Sequence, residues 1–203
     1  MINAPYPRAM TEREPFDLAA YEMRVKSGGC FVCGFLAGEP GLEHELLYDD
    51  GDHVAFLSRY PTLLGYALVV PRRHVEDVIR DLTPDEYLAL QAAVHKVARA
   101  ITEVVPTERT YVLSLGSMQG NPHVHWHVAP LPPGVPYEQQ QYHALMAENG
   151  VLPQTPEQVA DLGAAIRAAL AHPNPPGHLA APPQRVDHEV WGVETPSTGT
   201  FSS

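Results

Sequence analysis

The chain of 203 residues has no long apolar run and only two cysteines. No stretch approaches the roughly 18 apolar residues of a transmembrane helix, so we expect a globular protein that does not cross a membrane. The first ten residues, MINAPYPRAM, lack the apolar stretch of a secretory signal, which favours a cytoplasmic location. At this length we expect one compact domain with extensions.

Basic side chains are also scarce. Thirteen lysines and arginines stand against 24 aspartates and glutamates, which gives a formal net charge of −11. Because such a surface repels polyanions, we expect no nucleic-acid partner. A small phosphate compound is still compatible with this charge, since one pocket with a few hydrogen-bond donors can bind it.

The pattern along the chain indicates a meander of strands, then a long helix, then two further strands. Thr83, Pro84 and Glu86 form a capping box, which starts a helix predicted over 83–104. A second capped helix begins at Thr155. The strands are predicted over 45–50, 53–58, 66–71, 110–115 and 123–130.

These elements divide the chain into four segments. Residues 1–27 carry several helix breakers, and we expect a loosely ordered arm. The main domain is predicted over 28–131 and a helical extension over 132–172. Residues 173–203 are rich in proline and poor in aliphatic residues, which predicts a flexible tail.

Cys30 and Cys33 have the spacing of half a zinc site. Two histidines would have to complete the site, because the chain has no third cysteine. A redox pair of the thioredoxin type would lie at the start of a helix that follows a strand, and GGCFVCGF does not suggest such a start. The pair could also be two plain buried thiols or a disulfide, although a disulfide is disfavoured in the cytoplasm.

Three histidines alternate with apolar residues in the run HVHWHVA. In a strand, His123, His125 and His127 would project from one face and Val124, Trp126 and Val128 from the other. Such a row suggests metal ligation, phosphoryl chemistry or both. The remaining histidines are expected to lie on the surface or to be bonded locally: His44, His53, His95, His143, His172, His178 and His188, besides His74, which is considered below.

The run from His123 to Ala129 resembles the motif of the histidine-triad (HIT) superfamily of nucleotide hydrolases and transferases. The segment over 54–78, VAFLSRYPTLLGYALVVPRRHVEDV, and the cysteine pair extend this resemblance over residues 28–131. The resemblance implies an α+β fold with an antiparallel sheet of about five strands and a long packed helix, here followed by the helical C-terminal extension. It also implies a homodimer.

The resemblance assigns roles to individual residues. It implies a structural zinc held by Cys30, Cys33, His74 and His123, and it implies no organic cofactor. His125 matches the nucleophile. The other matches are His127 and Gln119 beside the phosphate and leaving group, the amides of Gly120 and Asn121 as donors, and Ser58 where relatives usually place an Asp or Asn against the ribose.

The expected function is that of a HIT-type enzyme acting at an α-phosphorus. The resemblance implies a covalent nucleotidyl-histidine and substrates such as dinucleoside polyphosphates or nucleoside phosphoramidates, with hydrolysis, phosphorolysis or transfer set by the acceptor. A second interpretation is a nucleotide-binding module with negligible turnover that engages a protein partner. A third interpretation places a catalytic metal on the three histidines.

Overall fold

The computed structural model describes residues 13–115, 122–137, 140–141 and 147–172. In these ranges the chain forms a five-stranded antiparallel sheet with helices on both faces, which is the expected α+β fold. The strands are β1 Leu46–Asp49, β2 His53–Leu57, β3 Ala67–Pro71, β4 Arg109–Leu113 and β5 Trp126–Leu131. The helices are α1 Leu18–Ser27, α2 Phe31–Leu36, α3 Pro84–Val104 and α4 Pro156–Ala171, and a 3-10 turn spans Ala147–Asn149.

The sheet order is β1-β2-β3-β5-β4, with every neighbouring pair antiparallel. The first three strands follow one another as a meander. The chain then crosses one face of the sheet as α3 and returns through β4, so that β5 lies between β3 and β4. This return places the start of β5, where His127 lies, beside β3 in the middle of the sheet.

Helix α3 begins where its sequence predicts. The side chain of Thr83 accepts a hydrogen bond from the Glu86 amide, and the Glu86 carboxylate accepts one from the Thr83 amide. These two bonds satisfy donors that a helix start would otherwise leave unpaired. Thr155 and Gln158 make the same pair of bonds at the start of α4.

Apolar side chains form one core on each face of the sheet. The core under α3 includes Val124, Trp126 and Val128, and α4 adds the fully buried Ile166 to it. The opposite core lies under α2. It contains Val32, Phe56 and Leu68 among its buried members.

The arm before residue 28 differs from its prediction. Residues 18–27 form α1, because the Asp17 carboxylate caps the helix by accepting from the Ala20 amide. Glu14 pairs with Val151 in a short antiparallel bridge, which attaches the arm to the C-terminal extension. The helix-breaking residues of this segment gave no indication of the helix or of the pairing with Val151.

Two of the predicted segments cannot be compared with the structure. Residues 1–12 of the arm and the tail over 173–203 lie outside the described residues. In the described part of the chain, no helix combines the length and the apolar character that crossing a membrane requires.

Candidate functional site

The three histidines of the motif do not share one strand. Strand β5 begins at Trp126, so His123 and His125 precede it and only His127 lies within it. The prediction of a strand starting at residue 123 is therefore wrong. The Val124 amide donates to the Val75 carbonyl at 2.7 Å, so this segment pairs with the turn after β3.

His123 faces the two cysteines. Its Nδ1 lies 3.4 Å from the Cys30 Sγ and 3.7 Å from the Cys33 Sγ. The Nδ1 of His74 lies 3.3 Å from the Cys33 Sγ. All four ligand atoms lie within 4.8 Å of one another, and this is the one such group of three or more potential ligands in the described chain.

The outer nitrogens of both histidines are held by oxygen atoms. The Nε2 of the buried His123 donates to the Pro71 carbonyl at 2.8 Å. The Nε2 of His74 lies 3.1 Å from a carboxylate oxygen of Glu76. A ring N–H held in this way leaves the inner nitrogen as a lone pair, which is the form that binds a metal.

These distances fit a tetrahedral zinc ion. Bonds of about 2.3 Å to sulfur and about 2.0 Å to nitrogen separate neighbouring ligand atoms by roughly 3.3–3.8 Å. The three sulfur–nitrogen distances above lie in that interval. Two thiols and two suitably oriented imidazoles are also the donor set of closed structural zinc sites.

The cysteine pair lies at the start of a helix, but this helix does not follow a strand, as was expected from GGCFVCGF. Cys30 caps α2, and its Sγ accepts from the Cys33 amide at 3.4 Å. The element before α2 is α1 rather than a strand, and the two cysteines are not joined as a disulfide. Burial, followed by the neighbouring Cys30 thiol, raises the pKa of Cys33 to about 11. A redox thiol has the opposite shift.

His125 is held in one tautomer by the backbone. Its Nδ1 lies 2.7 Å from the His123 carbonyl oxygen, which can only accept, so Nδ1 carries the proton. The Nε2 of the neutral ring is then an unprotonated lone pair. Burial lowers the pKa of His125, while the bond to the carbonyl acts in the opposite direction.

His127 lies beside His125, with ring centroids 4.8 Å apart and an angle of 68° between the ring planes. Its Nδ1 is 2.9 Å from the hydroxyl of Tyr66. Burial, and then the charge of His125, lowers the pKa of His127 to about 3, so the ring is neutral near pH 7. The sequence motif predicted His127 but gave no signal for its tyrosine partner.

The three histidines therefore do not converge on one metal. His123 belongs to the cysteine group, whereas His125 and His127 bond to a carbonyl and a phenol. This division argues against a catalytic metal on all three. It leaves His125 and His127 as an adjacent pair of neutral imidazoles.

Ser58 lies just after β2, with its amide bonded to the Tyr66 carbonyl. This pairing places it on the sheet face that carries Tyr66 and His127, because side chains directly across neighbouring strands project from the same face. The side chain of Ser58 accepts from the Tyr60 amide at 3.3 Å. Gln119, Gly120 and Asn121 lie outside the described residues, so their assigned roles stay predictions.

Two other histidines test the expectation of surface or local contacts. His53 has a local partner, since its Nδ1 lies 3.1 Å from the Asp50 carboxylate. His44 instead packs in an aromatic cluster with Phe31, Phe35 and Phe56. Burial lowers the pKa of His44 to about 4. Nothing in the spacing of His44 in the sequence signalled this tertiary contact.

Comparison with known proteins shows which family this chain resembles. A model of the HIT domain matches residues 40–133. An uncharacterized HIT-like protein of Mycobacterium tuberculosis is 34% identical over 106 residues, which cover 50% of this chain and 70% of that protein. A second uncharacterized HIT-like protein, from Saccharolobus solfataricus, is 30% identical over 105 residues, covering 50% and 73%.

Solved structures show the same fold. A hypothetical histidine triad nucleotide-binding protein from Sulfolobus tokodaii matches with a TM-score of 0.57 and 25% identity, covering 70% of this chain and 92% of that one. A zinc-bound histidine triad family protein from Mycobacterium smegmatis matches with a TM-score of 0.54 and 22% identity, covering 70% and 94%. The chain belongs to the HIT family.

Proposed function

We propose that this protein is a nucleotide hydrolase or nucleotidyl transferase whose nucleophile is the Nε2 of His125. The observation that carries the proposal is the 2.7 Å bond from the His125 Nδ1 to the His123 carbonyl. This bond fixes the proton on Nδ1, so that a lone pair on Nε2 is available without a separate base. Membership of the HIT family supports nucleotide chemistry of this kind.

The reaction has two steps. In the first, the Nε2 of His125 forms a bond to the α-phosphorus while the bond from phosphorus to the leaving group breaks. The leaving group takes the electron pair of the broken bond and a proton from solvent water, and His127 beside the nucleophile is positioned to hydrogen-bond to a phosphate or leaving-group oxygen. In the second, water, phosphate or another acceptor forms a bond to the phosphorus and gives its proton to solvent, while the phosphorus–nitrogen bond breaks and its electron pair returns to the Nε2 of His125.

The proposed substrates are dinucleoside polyphosphates or nucleoside phosphoramidates. The related protein from Sulfolobus tokodaii is described as nucleotide-binding, which supports a nucleotide at this site. Ser58, on the same sheet face as His127, is proposed to contact the ribose. A hydroxyl offers one donor and two acceptor lone pairs, so it binds a diol less firmly than a carboxylate does.

We also propose that zinc binds Cys30, Cys33, His74 and His123 as a structural ion. The donor geometry supports this assignment, and the related zinc-bound protein from Mycobacterium smegmatis agrees with it. When bound, the ion would tie α2 to the turn after β3 and to the segment before β5. The two thiols favour a reducing location such as the cytoplasm.

The covalent step is tested by trapping. The full chain is mixed with diadenosine polyphosphate or adenosine phosphoramidate, with and without inorganic phosphate, and quenched in alkaline denaturant that preserves phosphorus–nitrogen bonds. Intact-mass measurement is expected to show a nucleotidyl adduct on the wild-type chain and none on H125N. Turnover by H125N should fall by at least about 1,000-fold, the scale typical for loss of a nucleophile.

His95→Asn is the matched control, because this histidine is exposed on α3. The control should keep both adduct and turnover. Unchanged turnover in H125N, or turnover without any adduct in the wild type, would show the mechanism to be wrong. Equal nucleotide affinity of the wild type and H125N, with no product from either protein, would favour the nucleotide-binding module.

A further inference from the structure

Tyr66 is placed in the site by a tight loop. Gly65, with φ of +77°, turns the chain so that Tyr66, the residue before β3, lies on the side of the sheet that carries His127. The Tyr66 amide donates to the Leu63 carbonyl and its own carbonyl accepts from the Ser58 amide. The residue is only 8% exposed, so the ring has little freedom to move.

The phenol of Tyr66 has one partner in the described chain, the Nδ1 of His127 at 2.9 Å. The two rings meet nearly edge to face, with centroids 5.7 Å apart. On the neighbouring strands, Leu68 and Leu113 lie directly opposite His127 and offer no polar side-chain atom. Among the described residues, the tautomer of His127 is therefore decided between this phenol and the adjacent His125.

Burial of Tyr66 favours its hydroxyl as the donor in this pair. A buried hydroxyl that only accepted would leave its proton without a partner, which costs more than the bond itself contributes. Burial also raises the pKa of Tyr66 above its ordinary value, so the phenol keeps its proton. Donation from the phenol requires an unprotonated Nδ1, and a neutral imidazole then carries its proton on Nε2.

We propose that Tyr66 is a positioning residue that holds His127 as the Nε2–H tautomer and fixes the plane of its ring. His125 and His127 would then be locked in opposite tautomers: His125 presents a lone pair on Nε2, and His127 presents a proton there. The consequence for catalysis rests on the function proposed above. The tautomer itself does not depend on it.

The opposite tautomers suit the two tasks of the site. A nucleophile needs a lone pair, whereas a group that stabilises a phosphate or leaving-group oxygen needs a proton to donate. The His123 carbonyl selects the lone pair on the Nε2 of His125. The Tyr66 phenol selects the proton on the Nε2 of His127. A phenol with a raised pKa also neither takes up nor releases a proton near pH 7, so it orients His127 without relaying protons.

The tautomer is measured by nitrogen NMR on the full zinc-loaded chain labelled with ¹⁵N-histidine. The spectrum of His127→Gln identifies the His127 signals. We expect the wild type to show His127 protonated at Nε2, with an Nδ1 resonance shifted as for a hydrogen-bond acceptor. In Y66F, which removes only the hydroxyl, the Nδ1 resonance should move to the position of a nitrogen without that bond.

Tyr111→Phe is the matched control, since Tyr111 is partly buried against the core that contains Tyr66. Tyr111 lies on β4, opposite Ala129 of β5. The control should leave the His127 spectrum unchanged. A wild-type His127 protonated at Nδ1, or a Y66F spectrum identical to the wild type, would overturn the inference. Incorporation of 3-fluorotyrosine, whose phenol is a stronger donor, gives a second measurement: it should shift the Nδ1 resonance further in the acceptor direction, and no shift would count against the inference.

Kinetics separate this inference from the proposed function. In Y66F we expect kcat to fall about fivefold, the scale of one hydrogen bond of about 1 kcal/mol, with KM within about twofold of the wild type. Y111F should change neither value. An unchanged kcat in Y66F would overturn the catalytic role. If Y66F changes the His127 Nδ1 resonance as expected but the wild type shows no turnover, the positioning role stands and only the proposed function is contradicted.

Discussion

At the scale of single residues, three histidines with one spacing do three different things. His123 is fully buried and faces the cysteines, His125 bonds to a backbone carbonyl and His127 bonds to a phenol. The oxygen atom bonded to each ring, which is the Pro71 carbonyl for His123, fixes which ring nitrogen carries the proton. The chemistry of each imidazole therefore depends on the oxygen that holds its other nitrogen.

The metal site gives a prediction at this scale. In Cys30→Ser, we expect the chain to lose a zinc ion that the wild type holds at about one per chain, because a serine hydroxyl replaces one of the two thiolates. The free energy of unfolding should fall by more than about 3 kcal/mol, since metal binding contributes directly to folding. Metal analysis and denaturant unfolding measure the two effects.

H125N is the control for this experiment, because His125 lies outside the ligand group. It should retain zinc and wild-type stability. Zinc kept by Cys30→Ser but lost from H125N would contradict the structural assignment and would favour a catalytic metal.

At the scale of elements, the loop from β2 to β3 is docked against α3 through Gly65. A Cβ atom on this residue would lie 2.9 Å from the Val105 Cγ2 and 3.3 Å from the Ile101 Cγ2. Its φ of +77° is also a region that side chains disfavour. Both constraints require glycine, and they determine where Tyr66 enters the site.

Gly65→Ala is therefore expected to lower the free energy of unfolding by about 2–3 kcal/mol, from backbone strain and overpacking together. Urea unfolding measures this change. Gly51→Ala is the matched control: Gly51 has a φ of +95°, but a Cβ added there would meet no atom within 4 Å, so it should show only the strain, about 1 kcal/mol. Equal losses at both positions would mean that the contact with α3 is unimportant.

At the scale of the whole molecule, the extensions complete the domain. Ile166 of α4 is fully buried in the core under α3. The Leu152 amide donates to the Pro61 carbonyl, which lies in the loop that positions Tyr66. The bridge between Glu14 and Val151 joins the arm to the C-terminal extension. The domain boundaries at 27 and 131 stay predictions, but packing crosses both.

We propose that two copies pair along β4, which is an edge of the described sheet. Val112 on this strand is 45% exposed and Leu115 just after it is 64% exposed, and an unpaired apolar edge favours pairing with another strand. The wild-type chain of 22.2 kDa should sediment as a dimer. Val112→Lys should sediment as a monomer, because a charge on an edge strand opposes pairing.

Ile79→Lys is the control for the dimer, since Ile79 is 86% exposed and lies outside the strands. It should leave the dimer intact. A monomeric wild type, or a dimer lost only in Ile79→Lys, would show that β4 is not the interface.

The sequence by itself determined the features that depend on neighbours along the chain. The capping boxes at Thr83 and Thr155 and the burial of Val124, Trp126 and Val128 were readable from spacing. The membership of the HIT family was indicated by the resemblance of the run from His123 to Ala129 to the family motif. Local hydrogen bonds and side-chain alternation need no distant partner, so a linear pattern can carry them.

Only the tertiary structure decided the features that depend on distant partners. The triad is split because the Val124 amide bonds to the Val75 carbonyl and β5 begins only at Trp126. The helix at Leu18–Ser27 follows the short segment in which Glu14 pairs with Val151. The bond from Tyr66 to His127 spans 61 positions of the chain. No periodicity records such a contact, because it exists only once the sheet has brought its strands together.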